Sequence, residues 1–330
     1  MRILALFFVL LLPGCESISY YAQAIGGHLN VMAAARPIRE WLSDPATSPE
    51  LRKRLEAAQG IREFASKSLA LPDNGSYASY ARLERPYVVW NVYAAPVFSV
   101  EPKQECFPFT GCVGYRGFYS ESDARRHAQK LRAEGYDVHV GGVAAYSTLG
   151  WFDDPLLSTF IKYPDAQLAR LVFHELAHQV VYARNDTMFN ESFAVAVEEE
   201  GVRRWLEAQG RATELAAFRA AQLRKREFAA RVRETRERLA AIYRMDLTRE
   251  AMLEQKRGEF ERLRSAYGAI MPQQPNNAFL VSIALYTEMV PAFERLLAQE
   301  NGDLARFYEK VRALAATERS SRDPLLARRP

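Results

Sequence analysis

The stretch HELAHQVVYARNDTMFNESFA, from His174 to Ala194, restricts the folds open to this chain more than any other. Its two histidines stand four apart, and on an α-helix positions i and i+4 share one face, a turn apart. Leu171, Val172 and Phe173, just ahead of them, are apolar. That predicts a helix set into a core and not laid on the surface. The wider segment DAQLARLVFHELAHQVVYAR keeps its apolar residues on one face. A turn-like RNDTMF follows, and Asn190-Glu191 then opens a second helix.

Two imidazoles on one helix face can grip a single Zn²⁺ at roughly 2.0–2.1 Å each. Glu175 stands beside the metal position, where it can take a proton from water, and this is the metalloprotease use of H-E-x-x-H. The chain has only five histidines, and two of them are here. Catalytic zinc takes three protein ligands and keeps one open position. The next helix offers Glu191 as the third ligand, with Glu198 a further carboxylate on the same helix. Glu198 lies two turns after Glu191 on the same face, where a carboxylate can orient a histidine ring. A developing oxyanion needs a further donor, for which Tyr146 and Tyr286 are candidates; a tyrosine packed in the core is the plainer reading of each. GGVAAYSTLG reads as an edge strand able to pair with an extended peptide, or as an ordinary sheet strand.

His-Glu-x-x-His followed by Asn-Glu-x-x-Ala resembles the gluzincins, the thermolysin and aminopeptidase N class. That resemblance makes Glu191 the third ligand, although it follows His178 more closely here than in those enzymes. CFPFTGCVGYRGF, AYSTLGWFDDPLL, FHELAHQ, FNESFAVAVEEEG and PNNA together resemble a bacterial family of predicted aminopeptidases. The likeness runs over most of the chain, from YYAQAIGGHL to FYEKVRAL. It implies a zinc metallopeptidase acting on peptides, with Glu175 as general base. The Gly-x-Met-Glu-Asn string that holds a free amine in aminopeptidase N-like enzymes does not occur, so peptide hydrolysis is better founded than attack at the amino end.

The opening residues, MRILALFFVLLLPGC, combine Arg2, an apolar run from Ile3 to Leu12, and Pro-Gly-Cys. That describes an export leader, too short to span a bilayer, which takes roughly 20 apolar residues. LPGC resembles the bacterial lipobox, with Cys15 as the lipidated residue; a plain signal peptide cut nearby is the alternative. Glu16 in place of Asp points to the outer membrane, with the domain in the periplasm. In an oxidising compartment Cys106 and Cys112 form a disulfide. A zinc pair is the alternative, but no second cysteine pair accompanies them. A net charge of +4, from 44 basic and 40 acidic residues, gives no footing for nucleic-acid binding.

The expected fold is α+β, predominantly helical. Past a leader at 1–15 come N-terminal helices over 16–85, with Gly26-Gly27 as an interruption. A small α/β sheet region spans 86–150, the zinc-site helices 151–210, a charged helical hairpin 211–270, and C-terminal helices with a loose tail 271–330. The alternative function is a non-proteolytic envelope lipoprotein whose zinc is structural and whose helical arm binds a partner.

Overall fold

The computed structural model describes residues 14–107 and 111–322. The leader segment 1–13 and the side chain of Cys15 lie outside the described residues, so the lipobox reading is not addressed by them.

The chain opens with α1 (Gly14–Ala33), β1 (Ala35–Pro37), α2 (Ile38–Ser43) and α3 (Pro49–Leu69). Ser48 caps α3, accepting from Leu51 N at 3.3 Å, with proline in the first turn; both satisfy the exposed donors at a helix start. Next come β2 (Ser79–Ala81), β3 (Val89–Pro96), β4 (Glu105–Phe107), β5 (Gly111–Val113), β6 (Arg116–Phe118), α4 (Glu121–Ala133), β7 (Tyr136–Val143) and β8 (Leu156–Leu157). The remainder is helical: α5 (Asp165–Val180), α6 (Thr187–Ala208), α7 (Ala212–Ile242), α8 (Arg249–Tyr267), α9 (Asn277–Thr287), α10 (Val290–Gln299) and α11 (Leu304–Ala315). The fold is thus a predominantly helical α+β arrangement, as its sequence leads one to expect.

The central sheet has strand order β6-β3-β7, all antiparallel. Alternate residues of a strand point to opposite faces. Trp90, Val92 and Ala94 accordingly pack with Ala124, Ala128 and Leu131 of α4. Tyr93 and Ala95 face Ala278, Val281 and Leu285 of α9. Helices cover both faces, which is why β3 is aromatic and aliphatic throughout. β7 is an edge strand, but of GGVAAYSTLG only Gly141–Val143 belongs to it. Beyond it Ala144 gives its carbonyl to Thr159 Oγ1 at 2.6 Å and leaves the sheet.

The main core surrounds α5 and α6. Val172, Phe173 and Leu176 meet Leu55, Ile61 and Leu69 of α3 together with Phe193, Phe293 and Phe307. Burying each such side chain stabilises the fold by roughly 1.5–3 kcal/mol. Gly201 lets α6 approach α5 closely: a Cβ there would stand 2.7 Å from Phe173 Cδ2.

Several expectations change. α1 runs through Gly26-Gly27 without a break. Gly27 lies against the Tyr119 ring, where a Cβ would not fit, so it serves packing and not a bend. The charged hairpin, α7 and α8, is not simply a solvated arm. Its inner side packs Val232, Leu239, Phe260 and Leu263 on Phe279 and Leu280. It also buries Lys256, which donates to Asp137 at 2.6 Å. The tail is not loose throughout: Arg322 is buried, pairs with Asp186 and stacks 4.3 Å over the Phe189 ring. Residues 323–330 lie outside the described residues. No helix of the described residues is long and apolar enough to cross a membrane.

Candidate metal centre

His174, Glu175 and His178 are buried on α5. Glu191 sits in the first turns of α6, and the chain between is locked in place. Asp186 caps α6, accepting from Phe189 N at 3.0 Å. Asn190 clamps the connection: its Oδ1 accepts from Ala183 N at 2.7 Å and its Nδ2 donates to Ala183 O at 2.8 Å. The asparagine before the glutamate thus fixes the loop that sets where α6 begins. The hairpin of β4 and β5, closed by the Cys106–Cys112 disulfide, braces the same loop. Cys112 N donates to Asn185 Oδ1 at 2.7 Å, and Gly114 N to Thr187 Oγ1 at 3.2 Å.

The result is a convergence of three donor atoms. His178 Nε2 lies 3.2 Å from His174 Nε2. Glu191 Oε2 is 3.3 Å from His174 Nε2 and 3.5 Å from His178 Nε2. Ligands at about 2.0–2.1 Å from a tetrahedral ion stand about 3.3–3.4 Å apart, so the spacing fits one such cation. The group is the only metal-capable cluster of its kind among the described residues. Glu198, 2% exposed, accepts from His174 Nδ1 at 2.9 Å and from Arg170 Nη1 at 3.1 and 3.2 Å. A carboxylate only accepts, so His174 keeps a proton on Nδ1 and leaves Nε2 as the nitrogen that a cation would take once it displaces the proton there. His178 has no such support: its buried Nδ1 has no hydrogen-bond partner among the described residues.

Without a cation the cluster's acids hold a proton on the imidazoles, and metal binding would release it. Burial alone depresses an imidazole, yet the hydrogen bonds to Glu191 and Glu198 carry His174 up to about 10. Burial would raise Glu191, but the two histidines hold it at about 2. Glu198 is also lowered: burial opposes this, and Arg170 and His174 prevail. Glu175 differs, since burial, helped by Glu191 and Glu198, pushes its carboxyl above the usual range. Its side chain has no hydrogen-bond partner among the described residues and opens on both cavities described next.

Two hollows of about 620 Å³ each meet at the centre, sharing Val143, Ala145, His174, Glu175 and Tyr286. One continues between α1 and the turn after β7. The other runs along α7, past Arg170, Lys225 and Arg233. Tyr286 stacks its ring 6.4 Å from that of His174. Tyr146 lines the first hollow, its hydroxyl 2.8 Å from His28 Nδ1. Sequence reasoning missed Tyr115, whose hydroxyl donates to Glu191 Oε1 at 3.4 Å. Its only signal was membership of the GYRGF run; nothing in the order of residues ties it to position 191.

The architecture is therefore that of a helical α+β protein with a buried His–His–Glu centre lining two hollows. The profile of the family described as "Putative aminopeptidase" matches residues 19–326, and the chain belongs to that family. No curated protein and no solved structure matches it.

Proposed function

We propose that the chain is a zinc-dependent peptidase of the gluzincin kind. It would be exported and held by a lipid on Cys15 at the outer membrane, and would cut peptides in the periplasm. The observation that carries the reading is the mutual spacing of His174 Nε2, His178 Nε2 and Glu191 Oε2, 3.2–3.5 Å in every pair. Two neutral imidazoles and a carboxylate are a donor set suited to zinc. His174, His178 and Glu191 would hold the ion, with Glu198 fixing the first ring. When bound, zinc supplies Lewis acidity, which makes water a stronger acid and polarises a scissile carbonyl.

The remaining chemistry belongs to side chains. Glu175, unpaired and raised by its burial, accepts a proton from the attacking water and returns it to the leaving amine. Tyr286, kept neutral by burial, offers its hydroxyl proton to the developing oxyanion, and Tyr146 is the other donor within the cleft. The edge of β7, which reaches the junction of the hollows at Val143, pairs with the extended substrate. A site that only braced the fold would have no use for a free carboxylate facing both hollows.

The test compares the zinc-loaded protein with its Glu175→Gln variant on a peptide library read by mass spectrometry. The wild type should cleave. The variant should keep its metal and its melting temperature and lose at least about a hundredfold in turnover. Loss of single N-terminal residues would support aminopeptidase action, and internal cuts would refute it. Unchanged turnover in the variant, or no cleavage by the wild type, would overturn the proposal.

A further inference from the structure

We infer that the outer face of α1 and the Trp151–Phe152 turn form one lipid-contact surface, which seats the mouth of the cleft on a bilayer. On α1, Ile18, Ala22, Ile25 and Leu29 fall on one stripe at i, i+4, i+7 and i+11. Ile18, Ile25 and Leu29 are 68%, 60% and 56% exposed. From Ser17 to Ala35 the chain has no Asp, Glu, Lys or Arg. A helix that faces water normally carries charge on its outer face; this one carries aliphatic side chains.

The turn after β7 adds aromatic residues. Trp151 and Phe152 are 77% and 51% exposed. They are not stray side chains on a slack loop. Thr148 N and Oγ1 donate to the buried carboxylate of Asp154 at 2.8 and 3.0 Å, and Phe152 N donates to Thr148 Oγ1 at 3.1 Å. Leu149 and Gly150 take left-handed backbone angles to close the turn. The turn docks on α1, where the His28 ring stands 4.6 Å from that of Phe152. Tyr20, Tyr21, Ala24, Leu149, Trp151 and Phe152 all line the first hollow. The apolar surface is therefore also the rim of the cleft.

The occupant follows from the chain itself. The second residue of α1 is Cys15, proposed above to carry the lipid. Whatever bilayer takes up acyl chains on Cys15 also receives the helix that starts there. Trp and Phe favour the boundary between acyl chains and headgroups, and a helix with an apolar face lies along it. Seated this way, the cleft draws its substrate from polypeptide close to the membrane. The inference rests on the proposed anchor at Cys15 and stands apart from the peptidase reading.

The experiment uses the protein carrying its lipid on Cys15, with vesicles of phosphatidylethanolamine and phosphatidylglycerol carrying brominated acyl chains. Trp151→Phe serves as the subtraction control for the other three tryptophans, of which Trp90 and Trp205 are buried and Trp41 is half-buried. The Trp151 component should shift to the blue and be quenched by bromine, and the quenching should vanish in Trp151→Phe. The triple change Ile18→Ser, Ile25→Ser, Leu29→Ser should weaken that quenching severalfold while the protein still sediments with vesicles through the lipid on Cys15. Protein that sediments with vesicles while Trp151 emits as it does in buffer would overturn the inference, as would protein that fails to sediment. Lipid-free self-association abolished by the serine changes would replace the bilayer with a second copy.

Discussion

Changing Glu198 to glutamine isolates the link between the fold and the metal ligands. The carboxylate is buried and must satisfy His174 Nδ1 and Arg170 Nη1 at once. An amide has one acceptor oxygen; its other end donates. Either His174 or Arg170 therefore faces a donor. The charge on Arg170 favours keeping the oxygen on its side, so His174 loses the partner that fixes its ring and tautomer. Loss of such an outer partner costs 10- to 100-fold in metal affinity, or about 1.4–2.7 kcal/mol. The fold also loses a buried ion pair, worth about 3–5 kcal/mol when one partner is removed. Arg170 keeps 24% of its side chain in contact with solvent, so the low end, about 3 kcal/mol, applies. Zinc affinity from competition with a fluorescent chelator and metal-free stability from urea unfolding measure the two losses separately. A variant that unfolds at lower urea yet binds zinc as tightly as the wild type would refute the role assigned to Glu198. It would leave the residue as a fold-holding ion pair only.

Asn190→Ala strands a buried N–H and C=O on Ala183, and urea unfolding should show a loss of about 2–4 kcal/mol; a loss under 1 kcal/mol would mean the clamp is redundant. Replacing Cys106 and Cys112 together by serine opens a short loop and should cost about 2 kcal/mol, with a lower melting temperature and unchanged zinc stoichiometry. Asp154 is raised to about 7 by burial, which outweighs its bonds from Thr148. An acid whose folded pKa exceeds its unfolded one stabilises the fold fully below about pH 4, and that share is lost as pH rises toward 7. The wild type should lose stability across that window, and Asp154→Asn should flatten the slope; parallel profiles for the two would count against it.

The parts of the centre that could be read from the sequence are those set by local geometry. His174 and His178 are four apart on a helix, and their shared face follows from its pitch. Ser48, Ser120 and Thr248 each stand at a helix start and accept from the backbone three residues on, a contact made within one turn and so set locally. What could not be read depends on distant contacts. β1, β2 and β8 form a sheet from residues 35–37, 79–81 and 156–157; strands of two or three residues show no alternation to detect. Tyr115 reaches Glu191, and Lys256 reaches Asp137, across loops whose paths local propensity does not determine. Arg322 lies in a stretch that looks like an unstructured end; its partner Asp186 is far away in the chain.

That last pairing bears on when the site is made. Asp186 starts the helix that carries one arm of the centre, and Arg322 grips the same carboxylate from the far end of the described chain. While a ribosome is still producing residues before 322, this latch is missing, and the helix start is held only by its own cap and by Asn190. The His–His–Glu cluster thus gains its last outside support only once the far end of the described chain has been made.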